Sequence, residues 1–197
     1  VVIQDDTLDR TTNGHGLGGA TPSDAIRELD AGSRFGEKFK GEPVPLLDEV
    51  FAEFGGKFLI NVELKNYKTP KDQLPDFVVA LIKKHGLSES VMLSSFNGRN
   101  LPRAKTLAPE IRTGLLTLPG ILGLPMRGVL GRRYAADDLH RCYRDVSARL
   151  VQSRHNLGQR VNVWTVDEPE DLRRMQSFGV DMIICNDPSH ARRILER

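Results

Sequence analysis

Short apolar runs rich in β-branched residues alternate with longer amphipathic stretches along this chain of 197 residues. That alternation is the βαβ signature of a parallel sheet. The pattern predicts strands at Val1–Gln4, Phe58–Leu64, Val91–Ser95, Thr113–Thr117, Val161–Val166 and Asp181–Cys185. It predicts helices at Pro22–Leu29, Leu47–Phe54, Lys71–His85, Arg99–Leu107, Ala136–Asn156, Pro169–Phe178 and Pro188–Glu196.

The punctuation supports these boundaries. Thr69-Pro70 and Asp187-Pro188 each set a capping side chain before a proline, which suits a first helical turn because its missing N–H would have no partner there. Gly55, Gly86, Gly158 and Gly179 sit where helices should end, each followed within a few residues by a strand. A glycine-then-strand rhythm favours a (β/α) barrel over an antiparallel fold. Such barrels have about eight strands and about 250 residues, whereas six strands are predicted here. Two stretches break the rhythm. Thr7 to Gly41 is long and rich in Gly, Thr and charge. Leu118 to Arg133 is apolar, interrupted by Gly and Pro, and reads as a packed irregular loop at the barrel mouth rather than a lipid-contacting lid.

Composition narrows the function classes. Hydrophobic residues are 39% and charged residues 27%, ordinary for a globular chain. The net charge of +2 and the lack of a dense basic run argue against nucleic acid as a partner. No apolar stretch is long enough to span a membrane. Cys142 and Cys185 have neither metal-site nor disulfide spacing and read as buried or half-buried thiols.

In a parallel barrel, functional side chains come from the C-terminal ends of strands. Polar residues collect at those ends. Strand side chains alternate faces, so Asn61, Glu63 and Lys65 point one way and Ile60, Val62 and Leu64 the other. The apolar set should face helices and the polar set the barrel interior. Charges there are costly unless paired or metal-bound, so Glu63 and Lys65 are either a structural ion pair or a functional one. Trp164, the only tryptophan, shares a face with Asn162 and is a core aromatic or a pocket wall; Phe96 has a similar claim. Ser94 and Ser95 have no histidine partner nearby in sequence, so serine nucleophile chemistry has little support. Of the five histidines none is expected to end a strand, and only His15 is placed to reach a barrel mouth. Asp9 and Arg10 read as a structural pair.

The segment Asp5-Asp6-Thr7-Leu8-Asp9-Arg10-Thr11-Thr12-Asn13-Gly14 resembles the signature of the glycerophosphodiester phosphodiesterase family. Further matches follow in order at Pro45–Val50, Asn61–Lys65, Ser94–Asn97, Val161–Val166 and Asn186–Pro188. The resemblance implies an α/β fold, a TIM barrel of the phosphodiesterase type whose first two βα units are missing. Residues 1–197 would be one partial barrel domain, with residues 7–41 a small insertion loop. The chain would begin in mid-barrel, as the middle of a longer protein, and self-association through the open barrel edges is expected.

The activity implied is hydrolysis of a glycerophosphodiester, a small molecule, to glycerol 3-phosphate and an alcohol with a divalent cation, Ca²⁺ or Mg²⁺, weakly held here. Glu63 would be its ligand, and Lys65 would face the substrate phosphate. Gln4 stands where the family's third strand carries a catalytic histidine. Asp5, Phe96 and Trp164 would bind substrate. A glutamine amide cannot exchange a proton usefully near neutral pH, so this chain is expected to be weak or inactive alone. The alternatives are a non-catalytic relative that binds phosphodiesters or a protein partner, and a phospholipase of related architecture.

Overall fold

Six parallel strands in consecutive order form one sheet among the described residues, 1–196, of this computed structural model. They are β1 (Ile60–Glu63), β2 (Val91–Ser95), β3 (Arg112–Thr117), β4 (Asp138–Cys142), β5 (Arg160–Trp164) and β6 (Met182–Ile183). Each is followed by helix or helical turns before its neighbour. The helices are α1 (Ser23–Arg27), α2 (Leu47–Phe54), α3 (Leu74–Lys84), α4 (Asn100–Leu107), α5 (Leu124–Arg127), α6 (Val129–Arg132), α7 (Ala148–His155), α8 (Pro169–Ser177) and α9 (Pro188–Leu195). Parallel neighbours joined through helices make an α/β half-barrel, in keeping with the strand–helix alternation of the sequence. Among the described residues no helix is long and apolar enough to cross a membrane.

Two compact units divide the chain: Val1–Phe58 with Leu81–Leu87, and Leu59–Ala80 with Ser88–Arg197. The first has its own core of Leu8, Ile26 and Val44, with Ile3, Leu29 and Ala31 packed against it. Its loop is tied by Asp30, whose carboxylate accepts hydrogen bonds from the backbone N–H of Gly32, Ser33 and Gly41 and from the Ser33 hydroxyl. These donors hold the Asp30 carboxyl down at about 2. Glu49 accepts the Leu46 N–H at 2.8 Å, closing the first turn of α2.

The second unit carries the sheet. Alternation along its strands separates two faces. Val161 and Val163 pack with Val151, Leu172 and Met175, while Leu115 and Leu139 pack with Leu101. The intervening residues point to the concave side. Register aligns Glu63 with Ser94, Ser94 with Gly114, Leu116 with His140, and His140 with Asn162.

Several sequence expectations are corrected. Val1–Gln4 is not a strand; it has no ladder partner, and its backbone contact is Val2 N–H to the Pro45 carbonyl at 2.8 Å. Ala136–Asn156 is not one helix. Its first part is β4, paired on both sides with β3 and β5, and only Ala148–His155 is helical beyond a 3₁₀ turn at Tyr143–Asp145. Leu118 to Arg133 is not irregular: it folds into a 3₁₀ turn at Ile121–Gly123, then α5 and α6. The helix expected from Lys71 starts at Leu74, because Asp72 rather than Thr69 meets its first N–H, at 3.0 Å. Gly86, Gly158 and Gly179 take the left-handed conformation after their helices, but at the end of α2 Gly56 does so, not Gly55. Asp187 caps α9 by accepting the His190 N–H at 2.9 Å.

Candidate active site at the strand ends

Glu63 ends β1, and Lys65 stands two residues on, in the loop that leaves the strand. Lys65 Nζ is 3.2 Å from Glu63 Oε2, and both side chains are about a quarter exposed, at 26% and 27%. The Tyr67 hydroxyl donates to Glu63 Oε1 at 2.6 Å. One carboxylate thus holds an ammonium and a phenol together at a strand mouth. Tyr67 was not singled out from sequence, because it follows the strand rather than belonging to it.

An asparagine network fixes this end. Asn66 Nδ2 donates to Asp72 at 2.7 Å, and Asn100 Nδ2 donates to Asn66 Oδ1 at 2.8 Å and to Ser95 Oγ at 3.0 Å. Ser95 Oγ donates in turn to the Leu64 carbonyl at 2.7 Å. Asn97 Nδ2 joins through Asn66 Oδ1 at 3.2 Å. Buried amides left unpaired are costly, so this network specifies where the β1 and β2 loops leave the sheet. Lys65, Tyr67 and Phe96 stand on those loops.

Three aromatic rings follow. Tyr67 meets Phe96 edge-on at 6.1 Å, and Phe96 meets Trp164 edge-on at 5.6 Å. Tyr67 and Phe96 also line a cavity of about 400 Å³ with Leu116, Thr117, Leu118, Leu122, Gly123 and Met126. The Trp164 indole N–H has no hydrogen-bond partner among the described residues.

Below the mouth, the concave face carries a buried polar cluster. His140 is fully buried; Asn162 Nδ2 donates to its Nε2 at 2.9 Å and to Asp138 at 3.1 Å. Arg112 pairs with Asp138 from the other side. Burial pushes the His140 pKa down to about 4, against the pull of the Asp138 and Glu63 carboxylates. The imidazole is therefore neutral at pH 7, with Nε2 accepting and the proton on Nδ1. A Cβ at Gly114 would collide with this ring, so the glycine makes the ring's place. His140, in mid-strand, corrects the expectation that Ala136–Asn156, which contains it, is a helix. The available signal was the alternation of Asp138, His140 and Cys142 with Leu139 and Arg141, hidden inside a stretch read as helix.

The sequence profile of the "Glycerophosphoryl diester phosphodiesterase family" matches residues 1–190. A glycerophosphodiester phosphodiesterase of Caldanaerobacter subterraneus subsp. tengcongensis is 41% identical over 189 residues, covering 95% of this chain and 76% of that protein. This chain belongs to the glycerophosphoryl diester phosphodiesterase family. By that membership it is a phosphoric diester hydrolase. A phosphodiesterase of Oleispira antarctica, solved in complex with the product sn-glycerol-3-phosphate, superposes with a TM-score of 0.83 at 26% identity, covering 99% of this chain and 78% of that one. A family protein from Silicibacter pomeroyi gives 0.84 at 25% identity, covering 98% and 77%. The half-barrel thus has the architecture of a TIM-barrel phosphodiesterase.

The family's signature segment lies in the first unit. Gln4 is exposed and outside any strand. Asp5 is held by Arg10 through two contacts, 2.5 Å from Nε and 2.9 Å from Nη2. The expected Asp9–Arg10 pair is corrected accordingly: Asp9 instead meets His15 at 3.0 Å. Ser94 is fully buried and Ser95 is a structural hub, so neither is presented as a nucleophile. Cys142 and Cys185 are free, buried and half-buried respectively.

A divalent cation is typical of this family. Among the described residues no three His, Cys, Asp or Glu side chains converge on a point. Glu63 offers one hard carboxylate at an open strand end. Both of its oxygens are engaged, by Lys65 and by the Tyr67 hydroxyl, so this one carboxylate does not by itself make a cation site.

Proposed function

We propose that this chain hydrolyses a glycerophosphodiester to sn-glycerol 3-phosphate and an alcohol at the mouth formed by β1, β2 and β5, weakly on its own because Gln4 supplies no exchangeable proton. Water adds to phosphorus, the P–O bond to the alcohol breaks, and the departing oxygen takes a proton. Lys65 faces the phosphate and offsets its charge, released toward it from Glu63, 3.2 Å away. Glu63 is one ligand of a weakly held Mg²⁺ or Ca²⁺, which when bound neutralises phosphoryl charge. Phe96 and Trp164 wall the substrate pocket. Gln4 and Asp5 are assigned to phosphate orientation and substrate binding on the resemblance of their segment alone. Self-association is proposed through β1 and β6, each of which has one strand neighbour among the described residues.

The observation that carries this reading is the paired Lys65 and Glu63, joined by Tyr67 to an aromatic wall, in a chain 41% identical to a glycerophosphodiester phosphodiesterase. Incubation with glycerophosphocholine and added Mg²⁺ or Ca²⁺ should release equal amounts of sn-glycerol 3-phosphate and choline. Binding of the diester with no release would favour the non-catalytic relative instead.

A further inference from the structure

The layer between the sheet and its helices carries charge where apolar side chains are the rule. Arg141 of β4 is in register with Val163 of β5, and Val163 packs with Val151 of α7, so Arg141 points into that layer. It is only 6% exposed. Its Nη2 reaches the Arg127 carbonyl at 3.4 Å, and its Nε has no partner among the described residues. The buried Nε atoms of Arg127 and Arg154 are likewise without a partner there. Arg127 turns its other nitrogens to Asp145, at 2.7 Å, and to the Gly120 carbonyl. Asp145 also accepts the Gly120 N–H at 3.1 Å. Burial pushes the Arg141 pKa down to about 10, and the charges of Arg154 and Arg127 press the same way against the weaker pull of Asp145. At neutral pH all three guanidiniums remain charged. Three cations thus face one carboxylate, which leaves two positive charges uncompensated among the described residues. Charge held out of water without a counter-charge is strongly unfavourable, so the cluster calls for an anion.

We infer that Arg127, Arg141 and Arg154 form a binding site for a phosphate dianion on the helix-facing side of β4, between α5 and α7. A dianion matches the two uncompensated charges, whereas a carboxylate would leave one. Its tetrahedral oxygens accept from several guanidiniums at once, the geometry for which arginine rather than lysine is suited. The ligand is free phosphate or the terminal phosphate of a small monoester. Binding there needs no turnover at the strand mouth, so the inference stands apart from the diesterase reading.

Thermal melting with rising inorganic phosphate tests this at about pH 8, above the second ionisation near 6 of a phosphate monoester. Sodium chloride of equal ionic strength is the control. The midpoint should rise saturably with phosphate and not with chloride. Lys65→Ala removes the cation assigned to substrate phosphate and should keep the response. Arg141→Met and Arg154→Met should each raise the half-saturating phosphate concentration at least about tenfold. Arg154 is only half-buried, so its variant keeps the test open if Arg141→Met does not fold. Repeating the series with sn-glycerol 3-phosphate separates the two sources: saturation at a lower concentration than free phosphate makes a monoester the ligand, and at a higher one makes it free phosphate. A response equal to that of chloride, one lost in Lys65→Ala, or one unchanged in either folded arginine variant would overturn the inference.

Discussion

His140 shows how a single residue's environment decides its chemistry. Its imidazole is buried against Asn162, and Asp138 and Glu63 only partly oppose the cost of charging it. In the unfolded chain it binds a proton below its ordinary 6.5, while the folded protein resists protonation until about 4. Between those values the unfolded state carries more protons, so His140 contributes stability that is fully present above 6.5 and lost as pH falls through about 4. Urea midpoints should therefore drop between about pH 7 and about pH 4.5, and His140→Gln should flatten that drop. An unchanged slope in the variant would contradict the burial argument. Glu63 and Lys65 were legible because two charged residues at period two interrupt an apolar strand. Phe96 and Trp164 were legible as bulky aromatics at strand ends. His140 was not: its partners come from β4 and β5, and nothing local in sequence announces them.

The elements that hold the site were mostly readable, and the exceptions share a cause. α2 spans Leu47–Phe54 as expected, and β2 spans Val91–Ser95. β4 was missed because its helix-facing side offers only Leu139 and Arg141, so the apolar alternation that marks a strand is weak. Pairing with β3 and β5 makes it a strand. Val1–Gln4 errs the other way, with a strand's composition but no ladder. The asparagine network was invisible, since it depends on loops meeting across 34 residues of chain. Asn100→Ala should destabilise the protein by about 1–3 kcal/mol by removing one hydrogen bond each from the Asn66 side-chain carbonyl, left with Asn97, and from the Ser95 hydroxyl, left with the Leu64 carbonyl. Chemical denaturation measures this, and a change within about 0.5 kcal/mol would show that the network does not fix these loops.

Across the molecule, the helix–glycine–strand rhythm anticipates five of the six parallel strands, β1, β2, β3, β5 and β6, while β4 completes the consecutive order. The family follows from ordered motifs that match across residues 1–190. What the sequence pattern left open, an ion pair or a functional pair at β1, the structure frames by position: Glu63 and Lys65 stand at the mouth, beside Tyr67, Phe96 and Trp164. We propose that Lys65 serves the phosphate rather than merely pairing with Glu63. The most direct test is kcat/KM for glycerophosphocholine in wild type and Lys65→Ala, alongside their thermal midpoints. Loss of about 10²-fold or more in kcat/KM with little change in melting is the predicted result. Equal rates, or a loss explained entirely by unfolding, would contradict it.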